Sequence, residues 1–188
     1  MRPSDVPVDA PARATRKATS IVIVNTGDGK GKSTAAFGTM LRALARGWKV
    51  CVVQFIKSDR WKTGEREMAV RLGVEWWTLG DGFTWDSQDM KESEAVAREA
   101  WRAAREKLES GAFGLVVLDE ITYPINWGWI DAADVVAAIA GRPPSVNVIA
   151  TGRDAPSPLI EIADTVTEMR KGKHAFDQGI KAIRGIDF

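Results

Sequence analysis

The sequence predicts an α/β fold, with a single domain built on a mainly parallel β-sheet and helices on both faces. Three observations support this prediction. Short apolar runs alternate with helical segments from residue 21 onward, which is typical of parallel strands joined by helices. The runs are continuous rather than alternating in polarity, as expected for strands covered on both faces. A glycine-rich loop follows the first run, where a strand would pass into a helix.

The first half of the domain is predicted to contain three strands and one helix. The run IVIVN at 21–25 predicts the first strand. Residues 33–47 predict the helix that follows the glycine-rich loop, because Gly47 supplies a C-terminal stop. VCVVQF at 50–55 predicts a buried second strand, and VEWWTL at 74–79 a shorter third strand.

The second half continues the same alternation. Residues 94–110 predict a long amphipathic helix, because apolar residues recur there at helical spacing until Gly111 closes the segment. The remaining segments are separated by glycine, proline or polar residues. They predict strands at 115–120, 146–153 (with its exit loop) and 165–170, and helices at 131–141 and 157–163.

Residues 1–19 are expected to form a flexible segment in front of a domain that spans 20–188. They contain three prolines and no apolar periodicity. A basic cluster of Arg13, Arg16 and Lys17 within this segment is either a solvated arm or a contact for phosphates or an acidic partner.

Composition excludes several classes of partner. Lys plus Arg total 26 and Asp plus Glu total 25, so a net charge of +1 gives no general attraction to nucleic acid or anionic membranes. No apolar stretch approaches the length of a membrane-spanning helix, and no signal peptide is visible. Cys51 is the one cysteine and lies in an apolar run, so we expect a buried thiol in a cytoplasmic protein.

The stretch TGDGKGKST, residues 26–34, predicts a phosphate-binding loop of the P-loop NTPase-like fold. The usual pattern, G-x-x-x-x-G-K-[ST], needs its first glycine at Thr26, and here the glycine stands one position later. The three glycines still allow backbone N–H groups to turn toward one point in front of a helix N-terminus. Lys32 would neutralise phosphate oxygens and the Ser33 hydroxyl would bind Mg²⁺. The predicted nucleotide-binding residues of the loop are Thr26, Gly27, Asp28, Gly29, Lys30, Gly31, Lys32, Ser33 and Thr34.

The run LVVLDE supplies an acidic partner for this loop. A buried strand that ends in Asp119 and Glu120 is typical of carboxylates that handle Mg²⁺ beside bound phosphates. In an NTPase, Glu120 would orient a water molecule against the terminal phosphate. In a nucleotide-dependent transferase, the acids would hold Mg²⁺ without water attack. The loop and the acids leave both classes open.

Five separated motifs carry a resemblance to one family. TGDGKGKSTAAFG, GDGFTW, VVLDEITYPINWGWI, ATGR and KGKHAFDQGIKAIRGIDF occur in order between Ile21 and Phe188. Together they resemble the ATP:corrinoid adenosyltransferases of the CobA/CobO/BtuR type, including the shifted first glycine. Family members typically have Asn at the position of Asp28 and Thr at that of Ser33.

The resemblance implies that a corrinoid Co(I) attacks the 5′ carbon of ATP and that triphosphate leaves. It implies ATP bound in a reversed sense, a cytosolic homodimer, a reduced flavoprotein as electron donor, and an N-terminal segment that covers the corrinoid. It also implies roles for site residues. Lys32 and Glu120 would be catalytic, Arg153 would neutralise the triphosphate, and Ser33 and Glu120 would hold Mg²⁺ with Asp119 close by. A P-loop ATPase or kinase with another acceptor, or a nucleotide-gated interaction module, remain the alternatives.

Phe83 and Trp85, in GDGFTW, match the family's aromatic residues that exclude an axial ligand from the lower face of cobalt. The competing interpretation is that both rings are core residues. His174, the single histidine, is not expected to ligate cobalt, because an axial imidazole would oppose the reduction of Co(II). We expect it to be a surface or structural residue, with a phosphate contact as the alternative.

Overall fold

The computed structural model describes residues 17–56, 63–79 and 90–187. Within these ranges, six strands form one sheet in the order β3-β2-β4-β5-β1-β6, and every neighbouring pair is parallel. The predicted α/β class with a parallel sheet is therefore confirmed. The strands are β1 (Val22–Thr26), β2 (Val50–Phe55), β3 (Glu75–Leu79), β4 (Leu115–Asp119), β5 (Asn147–Thr151) and β6 (Thr165–Glu168).

The helices follow the predicted alternation, with two additions. The described helices are α1 (Lys32–Leu44), α2 (Gly64–Arg71), α3 (Met90–Glu109), α4 (Thr122–Asn126), α5 (Ala132–Ala140) and α6 (Ser157–Glu161), and a 3₁₀ turn covers Ala175–Gln178. Helices α2 and α4 were not predicted from the sequence, and α3 begins four residues before its predicted start. In α4, Pro124 stands in the first turn, where its missing N–H costs no helical hydrogen bond. A short segment with a proline gives little periodicity, so it looks like a loop in the sequence.

Helices cover both faces of the sheet, as predicted. On one face, α1 and α2 pack on side chains such as Val50 and Val52. On the other face, α3, α5 and α6 pack on side chains such as Cys51 and Val53. Neighbouring β2 residues alternate between two apolar cores, which explains why four successive residues from Val50 onward are apolar.

Cys51 lies in the second of these cores and is fully buried, as predicted. Burial raises the pKa of its thiol to about 12, so the side chain stays protonated at neutral pH. In the described ranges, no helix is both long and apolar enough to cross a membrane.

Sheet register brings the carboxyl ends of four strands together. Gln54 on β2 pairs with Asp119 on β4, and Thr151 on β5 pairs with Asn25 on β1. Loops that leave these strand ends therefore meet at one edge of the sheet, where ligands of parallel α/β proteins are generally bound.

Candidate nucleotide and metal site

A cleft of about 560 Å³ opens at this edge of the sheet. The phosphate loop forms one wall, and β2 with the segments after β2, β4, β5 and β6 contributes the rest of the lining. Its lining residues are Asp28, Gly29, Lys30, Gly31, Lys32, Ser33, Thr34, Phe37, Gln54, Thr63, Glu65, Glu120, Tyr123, Arg153, Lys171, His174, Phe176, Asp177 and Asp187.

The structure explains why the first loop glycine is shifted by one position. Thr26 is still part of β1, and its buried hydroxyl accepts a hydrogen bond from the Ala155 N–H at 3.0 Å. The chain first needs a left-handed conformation at Gly27, where φ is 95°, and needs it again at Gly31, where φ is 113°. Helix α1 begins directly afterwards at Lys32, so its N-terminus faces the cleft.

A second constraint on the loop comes from the segment after β6. The Gly29 N–H donates to the Met169 carbonyl at 2.7 Å, and the Met169 N–H donates to the Thr26 carbonyl at 2.8 Å. A Cβ on Gly29 would lie 2.7 Å from the Met169 oxygen, and one on Gly27 would lie 2.4 Å from the same atom. The glycines therefore permit backbone-to-backbone packing as well as a turn.

Lys32 fixes the shape of the loop from inside. Its ammonium group donates to the carbonyl oxygens of Gly27 at 2.7 Å and Gly29 at 2.6 Å. Burial lowers the pKa of Lys32, and the nearby positive charge of Arg153 lowers it further. At its base, the loop is held by Asn25, whose amide donates to the Lys32 carbonyl at 3.2 Å.

The two acids at the end of β4 occupy different environments. Asp119 is fully buried, and its carboxylate accepts hydrogen bonds from the Thr151 hydroxyl at 2.7 Å and the Gln54 amide at 2.8 Å. Glu120 lines the cleft, and its backbone is left-handed with φ of 64°. The Glu120 N–H donates to the Thr151 hydroxyl at 2.9 Å.

Arg153 lines the same cleft as Glu120 and lies on a loop that hydrogen bonds hold in place. The buried Thr122 hydroxyl donates to the Arg153 carbonyl at 2.6 Å, and the Asn126 amide donates to the Asp154 carbonyl at 3.0 Å. A Cβ on Gly152 would lie 1.9 Å from the Thr122 hydroxyl oxygen, so this position requires glycine. Helix α4, which sequence analysis missed, thus holds the loop that carries Arg153.

The C-terminal segment completes the cleft. Lys30 forms an ion pair with Asp187, and the Asp28 carboxylate accepts from the Lys171 N–H at 3.2 Å. His174 lines the cleft and has a structural role, because its Nδ1 accepts from the Phe176 N–H at 3.1 Å at the start of the 3₁₀ turn. Four of the cleft's lining residues, Lys171, Phe176, Asp177 and Asp187, were not predicted to take part in binding. The motif KGKHAFDQGIKAIRGIDF was the one signal that could have found them.

Similar proteins of known family identify the family of this chain. Residues 18–188 match the family described as ATP:corrinoid adenosyltransferase BtuR/CobO/CobP. The chain belongs to this family. The corrinoid adenosyltransferase of Escherichia coli (strain K12) is 45% identical over 181 residues, which cover 96% of this chain and 92% of the relative. Corrinoid adenosyltransferase CobA of Salmonella typhimurium (strain LT2) is 42% identical with the same coverage. The corrinoid adenosyltransferase of Pseudomonas aeruginosa (strain PAO1) is 44% identical over 183 residues, covering 96% and 90% of the two chains.

Membership of the adenosyltransferase family confirms the resemblance on which the site assignments rest. The structure brings residues 28–34, Glu120 and Arg153 to one cleft, whereas Thr26, Gly27 and Asp119 do not line it. The roles of these residues remain predictions. Phe83 and Trp85 lie outside the described residues, so the predicted aromatic face of the site does too.

The residues at the cleft form a suitable donor set for Mg²⁺ in the presence of a nucleotide. Ser33 offers a hydroxyl oxygen and Glu120 a carboxylate, and both line the cleft. No group of three or more acidic, histidine or cysteine side chains occurs in the described ranges that could hold a metal by itself. Mg²⁺ usually uses one or two protein oxygens and takes its other ligands from phosphates and water, so two donors are compatible with this ion.

Proposed function

We propose that this protein transfers the 5′-deoxyadenosyl group of ATP to the Co(I) centre of a corrinoid and releases triphosphate. The observation that carries this proposal is the convergence of the phosphate loop, Glu120 and Arg153 on one cleft in a chain that belongs to the adenosyltransferase family. In the reaction, the cobalt electron pair forms a Co–C bond to the ribose 5′ carbon. The C–O bond breaks, and its electrons leave on the triphosphate.

The cleft suits a leaving group that gains negative charge. Lys32 and Arg153 bring positive charge to the triphosphate position, and the N-terminus of α1 adds backbone donors. Lys32 is held by two loop carbonyls, so its ammonium group is in position before the bond breaks. Preorganised donors that interact more strongly as charge develops lower the barrier, because they stabilise the transition state more than the ground state.

Mg²⁺ would be held by the Ser33 hydroxyl and the Glu120 carboxylate, and when bound it would neutralise charge on the triphosphate oxygens. Asp119 would support this site from behind, since both of its carboxylate oxygens accept hydrogen bonds from buried side chains. Glu120 would act as an ion ligand in this scheme and would orient no water molecule.

The corrinoid side of the site rests on the family resemblance. Phe83 and Trp85 would keep the lower face of cobalt free of an axial donor, which makes Co(I) easier to form. Residues 1–19 would cover the bound corrinoid. The proposal also includes a homodimer in the cytoplasm and a reduced flavoprotein as the electron donor.

Product analysis tests the proposed function. The protein is incubated with ATP, Mg²⁺ and chemically reduced corrinoid, and triphosphate, ADP and adenosylated corrinoid are quantified over time. We expect triphosphate and adenosylated corrinoid in equal amounts, and neither product from a parallel reaction without corrinoid. Stoichiometric ADP and phosphate would instead identify an ATPase or kinase. Nucleotide binding without any turnover would identify a nucleotide-gated module.

A further inference from the structure

Glu120 has an unusual backbone conformation for its residue type. Its φ is 64°, and in the described ranges only two other non-glycine residues, Ile56 and Asp154, have a positive φ. A side chain with a Cβ is strained in this region, so the conformation persists only where neighbouring groups hold it. Glu120 follows β4 directly and lines the cleft, so its backbone conformation determines where its carboxylate points.

Thr151, on the neighbouring strand β5, holds this backbone at its N–H group, and the Tyr123 N–H donates to the Glu120 carbonyl at 3.4 Å. The Thr151 hydroxyl accepts from the Glu120 N–H at 2.9 Å and donates its single proton to Asp119 Oδ1 at 2.7 Å. A hydroxyl that both donates and accepts has a fixed orientation. Thr151 is fully buried and does not line the cleft, so it cannot itself contact the nucleotide or the ion.

The same network extends to a third strand. Gln54 on β2 is almost completely buried and donates to Asp119 Oδ2 at 2.8 Å. Both carboxylate oxygens of Asp119 therefore accept hydrogen bonds from strands on either side of β4. These bonds fix Asp119 in the core, and Thr151 transmits that rigidity to the next residue through the Glu120 N–H.

We propose that Thr151 is a positioning residue that directs the Glu120 carboxylate toward the divalent cation bound with ATP. The inference rests on the proposed function, because it takes Glu120 as a cation ligand in that site. Side chains that orient metal ligands typically contribute 10- to 100-fold to metal affinity or activity. Loss of the Thr151 hydroxyl should therefore weaken the binding of Mg²⁺ together with ATP more than it weakens the binding of ATP without Mg²⁺.

Three substitutions at one position separate the hydrogen bonds from the volume of the side chain. Thr151→Val keeps the shape and removes both hydrogen bonds. Thr151→Ser keeps the hydroxyl, and Thr151→Cys replaces it with a thiol of weaker hydrogen-bonding capacity. The Ser and Cys variants differ in one atom, so they carry the test if the Val variant does not fold. Val148→Ala is the control, because Val148 is buried on the same strand and takes no part in the network.

The measurements are ATP affinity by calorimetry across a Mg²⁺ titration, ATP affinity in EDTA, and the melting temperature of each variant. For Thr151→Val, we expect the Mg²⁺ concentration that gives half of the full Mg²⁺-dependent gain in ATP affinity to rise about 10-fold or more. Affinity in EDTA should stay within about threefold of the wild-type value. Thr151→Ser should respond to Mg²⁺ like the wild type, and Thr151→Cys should lie between Ser and Val.

Two results would overturn the inference. One is an unchanged Mg²⁺ response in both Thr151→Val and Thr151→Cys. The other is a Val148→Ala variant whose Mg²⁺ dependence of ATP affinity shifts as much as that of Thr151→Val, with the same loss of melting temperature. That result would mean that Thr151 has only a structural role. Failure of the proposed function is seen separately. Wild-type protein that forms no adenosylated corrinoid would refute the transferase, while the Mg²⁺ titration would still report on Thr151.

Discussion

The packing of the phosphate loop against the C-terminal segment predicts a large effect for a small substitution, Gly29→Ala. Gly29 has no left-handed φ, so alanine brings no backbone strain of that kind. The added Cβ would nevertheless lie 2.7 Å from the Met169 carbonyl oxygen and 2.8 Å from the Arg170 carbonyl carbon. Both are backbone atoms, and neither can rotate away, so the loop and the segment after β6 must separate.

The separation also breaks the hydrogen bond from the Gly29 N–H to Met169, which measures 2.7 Å. Overpacking of this kind typically destabilises a protein by about 1–3 kcal/mol. For a chain of this size, about 1 kcal/mol corresponds to a melting-temperature change of roughly 2–4 °C. We therefore expect the variant to melt about 2–12 °C lower and to bind ATP at least several-fold more weakly, because the displaced loop forms the cleft wall.

Gly38→Ala is the matched control for this experiment. Gly38 lies inside α1, and a Cβ there meets no atom within 4 Å. Alanine in a helix interior is favoured over glycine by up to about 1 kcal/mol, so this variant should be unchanged or slightly more stable. Thermal unfolding and ATP calorimetry on both variants provide the test. A Gly29→Ala protein with wild-type melting and wild-type ATP affinity would refute the close contact between loop and C-terminal segment.

Three further predictions concern the site and the core. Lys32→Ala and Glu120→Ala should each lower turnover at least about 100-fold in a steady-state assay, because the loss of one preorganised electrostatic contact has an effect of this size. Near-normal rates in both variants would show that ATP binds elsewhere. Phe83→Ala and Trp85→Ala should lose more activity with Co(II) and a mild flavin reductant than with preformed Co(I). Equal losses together with a lower melting temperature would indicate core residues. Cys51 has its pKa raised from 9.0 to about 12, so the stability tied to the protonated thiol is complete below pH 9 and declines as pH rises toward 12. In urea titrations, Cys51→Ala should lose less stability than the wild type between pH 9 and 11, and parallel pH curves would contradict this.

Local sequence pattern predicted the class of fold and indicated where the candidate nucleotide site lies. Strand β2 spans Val50–Phe55, the limits predicted from its apolar run, because a strand buried on both faces is made mainly of apolar residues. The phosphate loop and Glu120 were predicted for a related reason. A turn that exposes backbone N–H groups needs glycines at fixed spacing, and an acid at the end of a buried strand has few other roles.

Short elements with weak periodicity could not be predicted from the sequence. Helix α4 has five residues and a proline, yet its Thr122 and Asn126 hold the loop that carries Arg153. Nothing in five residues distinguishes such a helix from a turn. Its formation depends on hydrogen bonds to the loop after β5, which lies about thirty residues further along the chain.

The sequence by itself therefore determined the α/β sheet, the glycine-rich loop in front of the first helix and the acidic end of β4. Tertiary structure alone decided that Thr151 contacts both Asp119 and Glu120, and that the C-terminal segment forms a wall of the cleft. The contact between Asp28 and Lys171 joins residues 143 positions apart. Periodicity and spacing describe neighbours within one element, whereas strand order and register determine which distant side chains meet. Strand order and register are established only when the whole sheet forms and buries its two apolar faces.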